Sequence, residues 1–281
     1  MSDPLSVDGL LQAIARSRMR GAGSAGLIGR RIEHHRTIES TNDRARELAA
    51  SGEPEGCVVV ADEQTRGRGR STRRWHSAPD LGLYMTVILR PDAAADRAPI
   101  FGLLAAVAAA SALERVGRTR VLIKWPNDLV VAADPSGRRK LAGILAESRA
   151  SGRLRDLVIG IGVNVNHEPG DFPEEISGRA TSLRILRGHL LDRAMVAGEI
   201  LTGLDDWYTL WTLQGERPIL EAFRSAGLDL EGRRVRVTGG AAAWEGTTAG
   251  LAEDGALRVL PMDGSRAVEV RYGEVLRIEE T

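Results

Sequence analysis

The chain has one cysteine, no surplus of either charge and no long uninterrupted apolar run. Each absence removes a class of protein. A lone Cys57 cannot close an intrachain disulfide, and its neighbours in Cys57-Val58-Val59-Val60 mark it as core rather than nucleophile. That usage fits a reducing cytoplasm, the expected compartment. Lys+Arg and Asp+Glu both number 38, whereas nucleic-acid binders usually carry a basic excess. No stretch reads as the roughly 20 apolar residues of a membrane span, and residues 1–20 contain no signal-peptide core. The five histidines, His34, His35, His76, His167 and His189, show no metal-ligand spacing with one another or with Cys57. No internal repeat is visible.

What remains is a globular composition, 43% apolar and 27% charged, over 281 residues. That length suits one large domain and one small one. Residues 1–30 are rich in Gly, Ala and Arg; Pro4 to Arg18 reads as a short amphipathic helix and the rest as a loop. Arg31 to Ile38 reads as a strand, and Ser40 opens a helix to about Ser51, with Asp43 completing a capping-box pattern. Strands follow at Gly56–Glu63 and Leu83–Leu89. Pro99 to Val116 is apolar nearly all round, as expected of a buried helix. Val121–Lys124 is a strand, and Leu129–Ala132 and Lys140–Glu147 read as a hairpin across Asp134-Pro135-Ser136-Gly137. Leu157–Val165 is a further strand, and helices span about 192–213 and 216–226. The order is mixed α+β. From about Gly227, short strand-like runs separated by Asp254-Gly255 and Asp263-Gly264 predict a small SH3-like β-barrel. The expected division is a 1–30 extension, a 31–226 catalytic domain and a 227–281 barrel.

The most informative segment is Gln64-Thr65-Arg66-Gly67-Arg68-Gly69-Arg70-Ser71-Thr72-Arg73-Arg74-Trp75. Glycines let a backbone approach a ligand closely, guanidinium forks and exposed N–H groups bind anions, and an indole offers a flat face. The segment reads either as a loop wrapped around a phosphate-bearing ligand or as an Arg/Gly tail that binds RNA without sequence preference. The ordinary globular composition argues against the second.

Four further segments carry chemistry. Lys124-Trp125-Pro126-Asn127-Asp128 leaves an ammonium, an amide and a carboxylate together at a strand end, to hold Mg²⁺, to position an amine, or simply to turn the chain. Lys140 opens the apolar run Leu141-Ala142-Gly143-Ile144-Leu145-Ala146. Pointing inward it would need an anion, because an unpaired buried ammonium is expensive; otherwise it is a surface lysine. Gly160-Ile161-Gly162-Val163-Asn164-Val165-Asn166 places two amides at a strand exit, as turn caps or ligand contacts. Ser40-Thr41-Asn42 could bind a polar ligand head or cap a helix.

In this order the set resembles the catalytic domain of biotin–protein ligases, from about Ile32 to Ile278. The resemblance includes Leu83-Tyr84-Met85-Thr86 and the Lys-Trp-Pro-Asn-Asp and Lys-Leu-Ala-Gly-Ile-Leu strings, with Ser71-Thr72 departing from the family's usual Arg-Gly. It implies a mixed β-sheet with flanking helices, a class II synthetase-like core, followed by the SH3-like barrel. It also implies ATP-dependent attachment of biotin to a lysine of the biotin carboxyl carrier domain of acyl-CoA carboxylases, through biotinyl-5′-AMP, with Mg²⁺. By resemblance, Ser40, Thr41, Asn42, Gln64, Gly67, Arg68, Gly69, Arg70, Lys140, Gly143 and Leu145 bind biotin. Arg70, Arg73, Trp75, Lys124, Asn127 and Asn164 bind the nucleotide, with Trp75 stacked on adenine. Arg70, Lys140 and Asp128 are the expected catalytic residues, Asp128 orienting the acceptor lysine or holding the metal. A lipoate or octanoyl protein ligase of related fold and a nucleic-acid-binding regulator stand as alternatives. Residues 1–30 read as too short for a winged helix-turn-helix, so no sequence-specific DNA binding and no membrane partner are expected.

Overall fold

A computed structural model describes residues 5–20, 26–70, 73–132, 137–238, 242–271 and 274–277. The expected turn at Asp134-Pro135-Ser136 and the departure at Ser71-Thr72 lie outside them. The larger part opens with α1 (Val7–Arg18), β1 (Arg31–His35), α2 (Thr41–Ala50), β2 (Cys57–Ala61), β3 (Gly82–Leu89) and α3 (Ala98–Gly117). It continues through β4 (Val121–Lys124), β5 (Asp128–Ala132), β6 (Arg138–Ser151) and β7 (Arg153–Asn164). Four helices follow, α4 (Glu174–Ser177), α5 (Leu183–Arg187), α6 (Arg193–Gln214) and α7 (Arg217–Ala226), and then β8 (Gly227–Leu228). The last strands are β9 (Glu231–Thr238), β10 (Trp244–Leu251), β11 (Leu257–Pro261), β12 (Val268–Val270) and β13 (Glu274–Arg277).

The large sheet has eight strands in the order β1-β2-β3-β7-β6-β5-β4-β8. Its two outermost pairs, β1 with β2 and β4 with β8, are parallel, and the inner pairs are antiparallel. Strand β3 is buried at every position because both faces are covered, so it reads as a continuous apolar run rather than an alternation. On one face α2 packs Ala45, Leu48 and Ala49 against Val59, Ile88 and Val158. On the other, α3 lies across the sheet and under α6. Residues 95–117 are long and apolar enough to cross a membrane by composition, which differs from the sequence expectation; 78% of the most apolar window is buried within the fold. The segment is a core helix whose apolar circumference is covered by β6, α6 and α7.

Most strand and helix expectations match the architecture; the short α4 and α5 were not expected, and two further differences have physical reasons. Helix α1 packs against α6, and Leu10 and Ile14 are buried in the main core. Residues 7–18 therefore share the core of the segment that follows. Strand β8 is two residues long, too short to carry a period, and is held by parallel pairing to Ile123 and Lys124.

A separate five-stranded antiparallel sheet, β12-β11-β10-β9-β13, forms the C-terminal part, consistent with an SH3-like domain. Its buried Val235, Val237, Leu251 and Leu257 join the main apolar core, and one hydrogen bond also crosses between the two parts. The buried Trp125 Nε1 donates to Gly255 O (3.1 Å) in the β10–β11 turn. Gly255 has φ +83°, and a Cβ there would lie 2.5 Å from Leu103 Cδ1, so turn geometry and space both require glycine.

Candidate active site

A cavity of about 120 Å³ opens where the N-terminus of α2, the Arg/Gly loop and strands β3, β5, β6 and β7 meet. Five cationic side chains line it, Arg68, Arg70, Arg73, Arg74 and Lys140, together with one carboxylate, Asp128. Lys140 pairs with Asp128, and Arg68 with Asp43 and Glu147 just off the lining.

The floor is made by missing side chains. Gly143 on β6 and Gly162 on β7 are direct cross-strand partners. A Cβ on Gly162 would lie 2.6 Å from Trp75 Cε2, and one on Gly143 would lie 3.0 Å from Trp75 Cζ3. The indole thus lies against bare backbone. Lys140 Nζ sits over the same ring, 5.2 Å from its centroid. Trp75 is therefore packed beside Gly143 and Lys140, residues assigned by resemblance to the biotin end.

The described part of the Arg/Gly loop is a hairpin. Gly69 N donates to Arg73 O (2.8 Å) and Trp75 N to Gly67 O (2.9 Å). Gly67 serves this turn and does not line the cavity: a Cβ would lie 2.7 Å from Trp75 O and 2.6 Å from Ser77 Oγ. The loop base is held by Thr65 N to Ile38 O and Arg66 N to Glu39 O, both 2.9 Å.

The α2 end of the cavity is a hydrogen-bond chain. Ser40 caps the helix, its Oγ accepting from Asp43 N. Thr41 N and Thr41 Oγ1 both donate to Gln64 Oε1, at 2.9 and 3.0 Å, while Gln64 Nε2 donates to Ser77 Oγ (3.0 Å). The hydroxyl of Thr86, a fully buried residue, donates to Asn42 Oδ1 (2.7 Å). Gly160 leaves the space for that amide, since a Cβ would lie 2.0 Å from Asn42 Oδ1. Tyr84 also lines the cavity; burial pushes its phenol up, so it stays a neutral donor, to Ala78 O (2.9 Å).

At the opposite end, Lys140 Nζ lies 2.5 Å from Asp128 Oδ1. Arg70 Nη1 reaches Asn127 Oδ1 at 3.5 Å, and Asn127 Nδ2 donates to Ile144 O (2.8 Å). Strands β4 and β5 place these groups through the turn that contains the cis Trp125–Pro126 peptide. A second cavity of about 400 Å³ begins at Arg70, Asn127, Ile144 and Leu145 and runs to Asp254 and Arg271 of the small sheet.

Two expected residues lie off the cavity besides Gly67. Lys124 is the register partner of Asp128 on β4 but does not line the pocket. Asn164 is buried, and its Nδ2 donates to Thr181 O (3.0 Å), tying the segment before α5 to the strand exit. Its amide holds backbone, the role strand-exit asparagines commonly have. Sequence reasoning overlooked Glu147, whose carboxylate faces Asn42 and Arg68; a lone Glu in a strand carries no signal of a partner 79 residues away. Among the described residues no group of three or more His, Cys, Asp or Glu could hold a metal ion. Two buried donors on the cavity wall, Trp75 Nε1 and Arg68 Nε, have no hydrogen-bond partner within the described protein. Buried donors seldom go unpaired.

Residues 34–164 match the model of the biotin/lipoate A/B protein ligase family. A bifunctional ligase/repressor BirA of Bacillus subtilis is 36% identical over 91% of this chain and 77% of its own. A biotin–[acetyl-CoA-carboxylase] ligase of Mycobacterium tuberculosis is 31% identical over 94% of both chains. The solved biotin protein ligase of Aquifex aeolicus in complex with biotin and ATP superposes with a TM-score of 0.73 at 27% identity, over 89% of this chain and all of that one. With relatives this similar along most of their length, and a pocket built from the residues that carry the resemblance, the chain belongs to the biotin–protein ligases.

Proposed function

We propose that the chain joins biotin to a lysine of a biotin carboxyl carrier domain, using ATP and passing through biotinyl-5′-AMP. The observation that carries this reading is the cavity in which five cationic side chains and a glycine floor converge. The solved Aquifex and Leishmania major enzymes were captured with biotin and ATP and with biotinyl-5-AMP, respectively. The Mycobacterium relative's name points to an acetyl-CoA carboxylase as the acceptor.

In the first step a biotin carboxylate oxygen attacks the α-phosphorus of ATP and pyrophosphate leaves. Two anions must meet, so the site must supply positive charge where negative charge accumulates. Arg68, Arg70, Arg73 and Lys140 supply it. In the second step the acceptor amine attacks the acyl carbon, AMP leaves, and the ammonium proton is lost. Asp128 is the carboxylate that can draw in that ammonium and take up its proton. Mg²⁺ would neutralise charge on the phosphates, and Asp128 with Asn127 adjacent would hold it as an alternative to serving the acceptor lysine. Ser40, Thr41, Asn42, Gln64, Gly69, Gly143 and Leu145 enclose the biotin end. Trp75 walls that end from above the Gly143–Gly162 pair. We assign the reaction to the cytoplasm, where ATP and the carrier protein are made.

The test is incubation with ATP, Mg²⁺ and biotin, following pyrophosphate release and the adenylate by mass. Biotin-dependent release is expected. Turnover with lipoate but not with biotin would move the chain to the lipoate branch of the same family.

A further inference from the structure

The cavity wall is held by a carboxylate that does not itself line it. Glu147 lies on β6, two residues past Leu145, and is half-buried. Its Oε2 accepts from Asn42 Nδ2 (2.8 Å) and also pairs with Arg68 Nη2. Its Oε1 lies 3.8 Å from Arg46 Nη1, and Arg68 Nη2 has a second anion in Asp43 (3.1 Å). Three segments remote in sequence, the first turns of α2, the Arg/Gly loop and β6, thus meet at one side chain. Behind it runs the buried chain from Thr86 to Asn42, seated over Gly160.

The geometry points to Glu147 as a positioning residue of the biotin end. It fixes the guanidinium of Arg68 so that the unpaired Arg68 Nε is left on the cavity wall. It also fixes the loop that carries Arg70, Arg73 and Trp75. This inference rests on the proposed biotin site, and it makes a claim that site does not contain: the loop is seated on the sheet by an anion of the sheet before any ligand arrives. An ion pair that spans two half-buried side chains and shares its acceptor with a buried amide is worth more than an exposed pair. Glu147→Gln keeps an oxygen for Asn42 and the side-chain volume, and removes one of the two carboxylate charges on Arg68, leaving Asp43.

Two readouts test it on the full chain. The first is steady-state kinetics: E147Q should raise KM for biotin about tenfold, while kcat, KM for ATP and the melting temperature stay near those of the unmutated enzyme. Because Glu147 acts through Arg68, E147Q should add little in an R68A background. The second is limited trypsin digestion without ligand, in which cleavage after Arg66, Arg68 and Arg70 should be several-fold faster in E147Q. Unchanged biotin KM and unchanged cleavage would overturn the assignment. So would full additivity with R68A, or a parallel rise in both KM values with a lowered melting temperature, which marks a general structural role. If the unmutated enzyme releases no pyrophosphate with biotin, the proposed function fails, and the digestion still decides whether Glu147 seats the loop.

Discussion

Lys140 and Asp128 stand as an ion pair, Nζ to Oδ1 2.5 Å, across neighbouring strands at the mouth of the cavity. The register places Lys140 opposite Val130, two residues from Asp128, so the pair is a diagonal contact reached by a long side chain. The pair holds the ammonium beside the indole of Trp75, 5.2 Å from the ring centroid.

Lys140→Ala should therefore leave the fold intact and lower the specificity constant for biotin. Losing a charge-assisted contact to a bound anion costs roughly 2–5 kcal/mol. Lys140→Arg is the sharper test. The chain contains only two lysines, Lys124 and Lys140, among its 38 basic residues. A guanidinium is not a substitute where a compact point charge is needed. K140R should fail nearly as badly as K140A; an active K140R would reduce Lys140 to a generic cation.

Gly162→Ala should expel the indole from the floor. The new Cβ would lie 2.6 Å from Trp75 Cε2 on a strand that cannot yield, so overpacking of about 1–3 kcal/mol is expected, with loss of adenylate formation. Gly170→Ala is the control, because its Cβ would meet nothing within 4 Å and its backbone is ordinary. Equal melting temperatures for the two variants would mean that Trp75 has room to move.

Arg70→Gly should let the intermediate escape. Arg70 reaches Asn127 from the loop, so it links the loop to the β4–β5 turn. A guanidinium on the phosphate would hold both the adenylate and the loop, and glycine removes the clamp while adding backbone freedom. Adenylate should still form, dissociate faster and biotinylate bystander proteins. If no adenylate forms, Arg70 belongs to the first chemical step; if release and bystander labelling are unchanged, it is not a clamp.

Stability should fall in mild acid through His167. This ring is fully buried, stacked on Phe172 at 5.0 Å, and both its nitrogens lack partners within the described protein. Burial, with a smaller contribution from His76, pushes the imidazole down to about 4 from 6.5. The unfolded chain then holds the proton more readily than the folded one. The folded state has its full advantage above about pH 6.5 and loses it as pH falls toward 4, up to roughly 3 kcal/mol. Urea midpoints at pH 7 and pH 4.5 should differ more for the unmutated chain than for His167→Phe. Equal differences would remove His167 from the acid response.

Much of this was legible because the informative residues travel in local strings. Val121–Lys124 reads as a strand from its β-branched apolar run and ends where the Pro126 turn must begin, so Asn127 and Asp128 come paired with their location. The buried α3 reads as buried because it has no polar face. Other features were not local. Glu147 reads as an ordinary strand glutamate; its partners are Asn42 and Arg68, and only the sheet order brings them together. The Gly143–Gly162 pair requires the β6–β7 register, which no single strand contains. Helix α1 carries few large apolar residues, and its burial depends on α6, nearly 200 residues on.

The hydrogen bond from Trp125 to Gly255 ties the small sheet to the turn that carries Asn127 and Asp128. Trp125 begins the same turn that ends in Asn127 and Asp128, and its indole is anchored from the far side by the β10–β11 turn. Were the five-stranded sheet to melt before the eight-stranded one, that anchor would be lost. Activity should then disappear at a lower temperature than the bulk of the helical signal, so that the enzyme's working range is set by its smaller part.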